Sequence, residues 1–383
     1  MKFIGLIFKG ARRNKRRTAL TVISVAIAVF LFAALRAVLE GFNAATEASS
    51  STRIVTVRST SLFFSMPRSH GDTIRSTPGV RDITWANWFG GNYKDPKNFF
   101  AQFAADAESY LRIYPEIVLT PDEKKAFLED RTGCILGDGL AKRFGLKTGD
   151  RITLQVGIPI YGTRDFDFTI RGVYRSSGAA VDNQSMLFHW KYADERALVK
   201  GQVGWFVSEI ANPDQEAQVA SAIDGKFANS PYETKTDTEK QFQSTFVSMF
   251  GNLKLLLGSI ALAVVITTLF VAGNTMAMSV RERTTEIAVM RTLGFPSGTI
   301  FALVAGEALM MSIVGGLIGV GLARLVVNPN FLQMGAFIPE FHMTNMTTLA
   351  ALALSALIGA LAGLIPATMA SRLKIVDALR QAA

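Results

Sequence analysis

The chain has 383 residues, of which 49% are hydrophobic and only 19% are charged, with a formal net charge of +9. This balance is too apolar for an ordinary soluble protein of this size, so it predicts membrane spans. Seven basic residues lie within the first 17 positions, directly before an apolar run, which favours a role in membrane topology over nucleic-acid binding. The single cysteine excludes an intrachain disulfide, and three histidines far apart in sequence give no metal-ligand spacing.

Four apolar runs are long enough to cross a bilayer as helices. The first run is longer than the apolar core of a cleaved signal peptide, which favours a retained anchor, although its alanine-rich stretch at 33–37 leaves cleavage open. The segment at 1–17 alternates apolar and basic residues and predicts an interfacial helix on the inner leaflet. The predicted transmembrane helices cover 18–38, 253–280, 299–326 and 346–369.

The distribution of Lys and Arg predicts the orientation of these spans. Basic residues occur in the N-terminal arm, in the loop at 281–298 and in the tail at 370–383, whereas the connector at 327–345 has none. Because cytoplasmic loops collect Lys and Arg, we expect both termini and the 281–298 loop in the cytoplasm of a bacterial cell, with the protein in its inner membrane. The connector and the large segment at 39–250 would then lie outside.

The segment at 39–250 has the pattern of a folded domain of mixed α+β type. Its length suits either one domain or two lobes, and we predict a split near 105 and 200. Cap signals and β-branched runs predict helices at 120–130, 138–145 and 213–228 and strands at 53–58, 151–156, 167–174 and 203–210.

Apolar residues at spacings of three and four predict a stalk helix at 236–257 that runs without a break into the second span. Packing of this stripe on its own domain and pairing with a helix of another subunit are both consistent with the pattern. The stripe consists of Phe242, Phe246, Phe250, Leu253 and Leu257.

The loop after the second span combines charge with an apolar ridge. Glu282 and Glu286 lie one turn apart on one helical face, and Ile287, Met290 and Leu293 follow at spacings of three. Such a short helix suits a groove in a partner protein, whereas the alternative is a solvated loop whose charges pair with one another. The pattern alone leaves both open.

The string RERTTEIAVMRTLGFPSGTI, which begins at Arg281, resembles the signature of the MacB/FtsX-type permeases of ABC transporters. The stretch Gly363-x-x-Pro366-Ala367-x-x-Ala370 resembles the C-terminal signature of the same family, except that Val376-Asp377 stands where the family usually has a proline. Residues 135–154 and 168–174 are similar to motifs of its periplasmic domain. The resemblance covers nearly the whole chain.

This resemblance implies a membrane protein of four transmembrane α-helices with a large mixed α+β extracytoplasmic domain between the first and second spans. It also implies a dimer, of two copies or of paralogues, that works by mechanotransmission with two copies of an ABC ATPase and, in some members, a periplasmic adaptor. The segment at 281–296 would be the coupling helix that docks on the ATPase. The residues expected at that contact are Glu282, Arg283, Glu286, Met290, Leu293 and Gly294.

We expect no catalytic residues, no metal and no cofactor in this chain, since no phosphate loop is present and GDGLAKRFG lacks the required G-x-x-x-x-G-K-[ST] pattern. ATP and Mg would be bound by the partner ATPase. Export of a drug, peptide or lipid and release of lipoproteins both fit, whereas the size of the domain disfavours activation of cell-wall hydrolases. The alternative function is a membrane-anchored receptor or scaffold that signals through the 281–294 loop.

Two features inside the spans have competing interpretations. Glu307 is the one acid well within a predicted span, and we favour a structural anchor over a proton relay because the spans hold no second acid or histidine to relay to. The pairs Gly315 with Gly319 and Gly359 with Gly363 indicate close helix approach or simply the ordinary glycine content of membrane helices.

Overall fold

The computed structural model describes residues 5, 14–47, 50–61, 64–95, 98, 100–158, 160–177, 181–248, 251–327 and 343–373. The chain divides into two compact units. The membrane unit contains the described parts of 1–39, 252–332 and 342–383, and the inserted domain contains the described part of 40–251. Most of the predicted interfacial helix, of the 327–345 connector and of the tail lies outside the described residues, as does Phe250.

The helices, in chain order, are α1 (Lys15–Glu47), α2 (His70–Arg75), α3 (Ala107–Ile113), α4 (Pro121–Glu129), α5 (Asp138–Phe144), α6 (Trp190–Arg196), α7 (Glu216–Phe227), α8 (Glu239–Ser248), α9 (Leu253–Glu282), α10 (Thr284–Thr292), α11 (Ser297–Val326) and α12 (Asn345–Ser371). The strands are β1 (Arg53–Arg58), β2 (Met66–Pro67), β3 (Val80–Trp88), β4 (Gly91–Asn92), β5 (Gln102–Ala105), β6 (Ile117–Val118), β7 (Gly133–Gly137), β8 (Arg151–Ile158), β9 (Gly162–Ser176), β10 (Met186–His189), β11 (Gln202–Val203), β12 (Trp205–Ile210) and β13 (Thr234–Thr238).

Four helices in the described part of the chain, α1, α9, α11 and α12, are long and apolar enough to cross a membrane. A large mixed domain lies between the first and the second of them, which confirms the predicted fold class. The helices extend past the predicted apolar limits, most of all α1, which continues to Glu47. Hydropathy marks only the stretch that suits lipid, whereas backbone hydrogen bonds continue the helix through its polar flanks.

The predicted unbroken stalk is wrong. Helix α8 ends at Ser248 and a new helix, α9, begins at Leu253. Between them Gly251 adopts a left-handed φ of +82°, and the side chain of Asn252 accepts a 3.0 Å hydrogen bond from the backbone N–H of Leu255. Glycine tolerates that conformation and asparagine is a strong N-cap, so these two residues separate the helices although the apolar spacing runs on.

The glycine pairs of the spans serve close helix approach. A Cβ atom at Gly319 would lie 2.5 Å from the carbonyl oxygen of Ala26 in α1, and one at Gly315 would lie 2.8 Å from that of Val22. A Cβ at Gly359 of α12 would lie 2.9 Å from the Cα of Leu309 in α11. Because no side chain larger than hydrogen fits at these separations, these glycines allow α11 to pack directly on α1 and α12.

The inserted domain is built on one eleven-stranded sheet, mainly antiparallel, in which only β5–β10 and β7–β9 pair in parallel among the described strands. Strand β6 pairs with β9 beside the main path, and β2 and β11 form a separate pair. The order along the main path is β13, β1, β12, β3, β5, β10, β7, β9, β8, β4.

Helices cover both faces of this sheet. Val55 of β1 belongs to a buried cluster with Leu111 of α3 and Phe127 of α4. The next residue back, Ile54, belongs to a second cluster that includes Ile223 of α7 on the opposite face. Because successive side chains of a strand point to opposite faces, the run RIVTVR is buried on both sides.

The predicted division of this domain near 105 and 200 does not occur. Ala105 lies in the interior of the sheet, where it pairs with Ala86 of β3 on one side and with His189 of β10 on the other. The sheet therefore continues through position 105 without a domain boundary. The described part of 40–251 forms a single compact unit.

Local signals placed most of the remaining elements within a few residues. Thr120 and Glu123 form the reciprocal capping box that starts α4. The predicted strand at 203–210 is interrupted at Gly204, so that Val203 ends β11 and Trp205 begins β12.

Candidate functional site

Helix α10 follows the second span, and one of its faces packs against the other helices of the membrane unit. Ile287 and Ala288 are buried in that face, whereas Val289 is 46% and Leu293 is 72% exposed. Arg283 forms the break between α9 and α10, with a non-helical φ of −109°. The helix is therefore a short segment with an anchored side and a free side.

Arg283 anchors α10 to the third span. Its Nη1 lies 2.8 Å from Oε2 of Glu307 in α11, and its Nε lies 3.5 Å from Oε2 of Glu286. The Glu307 side chain is only 6% exposed, so the guanidinium supplies the charge partner that a carboxylate in a span requires. The contact fits a structural anchor at Glu307.

Arg291 anchors the other end of α10 to the fourth span. Its Nη1 donates to the carbonyl oxygens of Ser371 at 3.1 Å and Leu373 at 2.6 Å, and its Nη2 donates to Ser297 Oγ at 3.1 Å. The last carbonyl groups of a helix have no partner within it, and a cation is favourable at that end. Arg291 thus joins α10 to the end of α12 and the start of α11.

Arg17 joins the first span to the second beside the same loop. Its Nη1 lies 2.5 Å from Oε2 of Glu282, and its Nη2 donates to Ser279 Oγ at 2.9 Å. Arg17 is one of the seven basic residues of the N-terminal arm, whose predicted role is to set the orientation of the spans. The sequence offered no signal for this contact, because Arg17 and Glu282 are 265 positions apart.

The end of α10 explains why a glycine stands at position 294. The N–H of Gly294 donates to the carbonyl of Arg291, and the N–H of Phe295 donates to that of Met290, which together form a Schellman motif. This motif needs a left-handed residue, and Gly294 has a φ of +90°. Its role in the fold is therefore to turn the chain from α10 towards Ser297.

The six residues predicted at the ATPase contact separate into two groups. Glu282, Leu293 and Gly294 are exposed. Met290 packs against the buried cluster of the membrane unit, and Arg283 and Glu286 are half-buried beside it. Met290, Arg283 and Glu307 also line a cleft between α9, α10 and α11. The sequence had indicated the helix but not which of its faces is free.

Within the described residues, no group of three or more His, Cys, Asp or Glu side chains is placed to hold a metal ion. Cys134 is buried, and burial raises its pKa well above the ordinary value of a thiol. His342 lies outside the described residues. The charged side chains around α10 connect helices of the membrane unit to one another.

Comparison with known proteins gives matches along most of the chain. Residues 18–226 match the model of the MacB-like periplasmic core domain, and residues 258–375 match that of the FtsX-like permease C-terminal domain. An uncharacterized ABC transporter permease of Methanocaldococcus jannaschii is 23% identical over 405 residues, covering 98% of this chain and 97% of that one.

Two further matches are partial. The macrolide export ATP-binding/permease protein MacB of Neisseria meningitidis is 37% identical over 136 residues, which are 35% of this chain and 20% of that protein. The crystal structure of the periplasmic region of MacB from Actinobacillus actinomycetemcomitans aligns with 51% of this chain and 92% of its own, at 9% identity and a TM-score of 0.37. The first family model alone matches more than half of this multi-pass membrane protein, which therefore belongs to the MacB/FtsX-type family of ABC transporter permeases.

Proposed function

We propose that this chain is the membrane subunit of an ABC transporter and couples ATP hydrolysis by a separate ATPase to movement of the inserted domain. The anchoring of α10 is the observation that carries this proposal. Arg283 is ion-paired with Glu307 of α11, and Arg291 holds the end of α12. A displacement of α10 would therefore reach two other spans through short charged contacts. Two copies of the ATPase would bind the ATP and Mg, and this chain would have no enzymatic activity of its own.

The positions of basic residues support placing this end of the membrane unit in the cytoplasm. Arg17 contacts the end of α9, Arg283 lies at the break between α9 and α10, and Arg291 contacts the end of α12. Cytoplasmic ends of spans collect Lys and Arg. The same rule supports a cytoplasmic location for both termini in a bacterial inner membrane and an extracytoplasmic location for the inserted domain.

The proposed docking surface is the free side of α10. Val289 and Leu293 lie one turn apart and form an exposed apolar pair, and Glu282 lies near the start of the helix. An apolar pair with a charged rim suits a groove in a partner protein. Of the predicted contact residues, Glu282, Leu293 and Gly294 remain at this surface, whereas we assign Arg283 and Met290 to holding the helix in place; Glu286 lies at the border.

The proposed work is export of a drug, peptide or lipid with a periplasmic adaptor, or release of a lipoprotein from the membrane. A relative that matches part of this chain is named for macrolide export, which supports the export branch. The permease would act as a dimer with a second copy or a paralogue. Exposed apolar side chains occur on all four spans and would contact lipid or the partner permease.

The test uses the same substitution at two exposed leucines. Leu293, which directly follows α10, is 72% exposed, and Leu198 in the inserted domain is 60% exposed. Tagged wild-type chain, Leu293→Arg and Leu198→Arg are purified from detergent-solubilised membranes, and the copurified ABC ATPase is measured by quantitative mass spectrometry and ATP hydrolysis. We expect wild type and Leu198→Arg to retain the ATPase and Leu293→Arg to lose it, because a cation in an apolar groove leaves a buried unpaired charge.

Equal ATPase recovery with all three chains would contradict docking through the free side of α10 but keep the transporter function. Absence of any ABC ATPase from the wild-type preparation would contradict the function itself. That second result would favour the membrane-anchored receptor or scaffold.

A further inference from the structure

The inserted domain is joined to the membrane-spanning helices by two connections, and a buried charged cluster lies where both enter the domain. The first connection leads from α1 into β1, whose first residue is Arg53. The second leaves through α8, whose first residue is Glu239. Arg53 is 3% and Glu239 is 4% exposed, and neither residue is used by the site around α10.

The guanidinium of Arg53 contacts three different parts of the domain. Its Nε donates to Oε2 of Glu239 at 2.8 Å, and its Nη1 donates to the carbonyl of Ile113 and to Oε2 of Glu116, both at 3.1 Å. Its Nη2 lies 2.9 Å from Oε1 of Glu116. The planar fork of arginine makes all of these contacts at once, which a lysine ammonium could not reproduce.

Glu239, at the start of the second connection, receives hydrogen bonds from the end of the first. Besides Arg53, its Oε2 accepts from the backbone N–H of Ser50 at 3.2 Å, three residues beyond the end of α1. Its Oε1 accepts from the hydroxyl of Tyr114 at 2.9 Å, and the guanidinium of Arg53 lies 4.4 Å from the centre of the Tyr114 ring. One carboxylate thus holds the end of the first connection and the start of the second.

Two groups of this cluster, Arg53 and Tyr114, have raised pKa values. Burial by itself lowers the pKa of Arg53, but the carboxylates of Glu239 and Glu116 outweigh it and hold the pKa above its ordinary value. Burial and the carboxylate of Glu239 raise the pKa of Tyr114 well above its usual range. Arg53 therefore stays charged and Tyr114 keeps the proton that it donates.

Stability by itself is a weak explanation for such a cluster. A buried ion pair is often replaceable by apolar side chains of similar volume without loss of stability, because removal of two charges from water offsets their attraction. The contacts of Arg53 and Glu239 fix the ends of both connections to the start of β1. Strand β1 lies between β13 and β12, so the cluster acts directly on the sheet.

We propose that Arg53, Glu239, Glu116 and Tyr114 form a rigid joint that clamps the two connections to each other, so that movement of the spans is delivered to the sheet as one displacement. Arg53 is the positioning residue of this joint. The inference rests on the proposed function, since it names the part of the inserted domain at which the ATP-driven movement enters.

The test follows that movement in the full-length chain with its copurified ATPase in lipid nanodiscs. Spin labels are attached at Asp122→Cys in the inserted domain and at Met346→Cys at the start of α12, both exposed positions. The natural cysteine, Cys134, is buried and therefore protected from labelling. Distance distributions are recorded by pulsed electron paramagnetic resonance without nucleotide and with ATP and vanadate, and ATP hydrolysis is measured on the same samples.

Arg53→Lys and Glu239→Gln are compared with Arg112→Lys. Arg112 forms an ion pair with Asp82 in the same domain, but its side chain is 52% exposed, which makes it a matched control. We expect wild type and Arg112→Lys to show the same nucleotide-dependent change in distance. In Arg53→Lys and Glu239→Gln we expect that change to be lost or broadened while ATP hydrolysis continues, which a merely stabilising role would not produce.

Tyr114→Phe serves as a milder variant in case the charge changes prevent folding. It removes only the 2.9 Å hydrogen bond to Glu239, and we expect a normal midpoint of thermal unfolding with a broadened nucleotide-bound distribution. An unaltered distance change in Arg53→Lys, Glu239→Gln or a Tyr114→Phe chain that folds would overturn the joint and leave the proposed function standing. A wild-type chain whose distance ignores nucleotide would overturn both.

Discussion

Arg53 in the inserted domain and Arg283 in the membrane unit each face a buried glutamate, but their surroundings differ. The Arg53 side chain is 4% exposed and contacts two carboxylates and a carbonyl group. The Arg283 side chain is 25% exposed and forms one hydrogen bond to Glu307, with Glu286 farther away at 3.5 Å. The Arg53 guanidinium is buried and contacts groups on several sides, whereas the Arg283 guanidinium is partly open to solvent and has one short contact.

This difference suits the two regions to different parts of one mechanism. A closed cluster keeps its geometry when the chain around it moves, because any separation would strand a buried charge. In the proposed function, the ion pair between Arg283 and Glu307 would keep α10 attached to α11 while the angle of α10 changes. The membrane unit would then receive the movement and the inserted domain would keep its shape as it moves.

The largest effect is expected when one partner of the buried Arg53 cluster is removed. Glu239→Ala leaves Arg53 buried with Glu116 alone, and we expect a loss of about 3–5 kcal/mol in the free energy of unfolding. All four tryptophans of the chain lie between positions 85 and 205, so intrinsic fluorescence of the full-length protein reports on the inserted domain. Denaturant titration in detergent gives the value.

Asp82→Ala is the control for this measurement. Asp82 pairs with Arg112; the Asp82 side chain is 18% exposed and the Arg112 side chain is 52% exposed, so solvent screens the pair and we expect it to contribute about 0–1 kcal/mol. A similar loss for both variants would show that the inserted domain does not depend on the buried cluster more than on its surface pairs.

A second prediction concerns the open site. Arg283→Met leaves the carboxylate of Glu307 without its cation, and we expect a loss of about 2.5–3.5 kcal/mol of stability in the membrane unit, the order of the cost of a charge in a span. Unfolding by a denaturing detergent, followed by circular dichroism of the helices, measures it. The double variant Arg283→Met/Glu307→Leu should recover most of the loss, because neither charge remains.

If the double variant were as unstable as Arg283→Met alone, the ion pair would not be the reason for the loss. If the double variant regained full stability but lost ATP-driven movement, the role of the Arg283–Glu307 ion pair would be in that movement and not in holding the helices together.

The smallest expected effect tests how the membrane unit packs. Gly319→Val places a side chain against the carbonyl of Ala26, and overpacking of this kind costs about 1–3 kcal/mol. Gly321→Val, two residues along the same helix, meets nothing within 4 Å and serves as the control. Detergent unfolding should separate the two variants, and equal stability would contradict close packing of α11 on α1.

Much of the fold was predictable because its signals are local. The apolar length of each span, the Thr120–Glu123 capping box of α4 and the β-branched run at 53–58 each depend on a few neighbouring residues. The break at Gly251 and Asn252 was also visible as a glycine next to a strong N-cap. The apolar spacing predicted one helix over 236–257 because such spacing indicates which face of a helix is apolar. It does not indicate whether the helical backbone is unbroken.

The candidate site was predictable only in part. The sequence indicated a helix after the second span and an acid at 307 that needs a partner. It did not show that Arg283 is that partner or that Met290 faces inward, because periodicity defines the apolar face of a helix but not what covers it.

The sequence by itself therefore determined the number and order of the spans, the family and the positions of most strands and helices, since hydropathy, caps and turn residues act over a few positions. Only the tertiary structure decided which charges meet. Arg17 and Glu282 are 265 positions apart, and Arg53 and Glu239 are 186 positions apart. Such pairs depend on how distant segments pack, and an ion pair between them leaves no pattern in the residues around either partner.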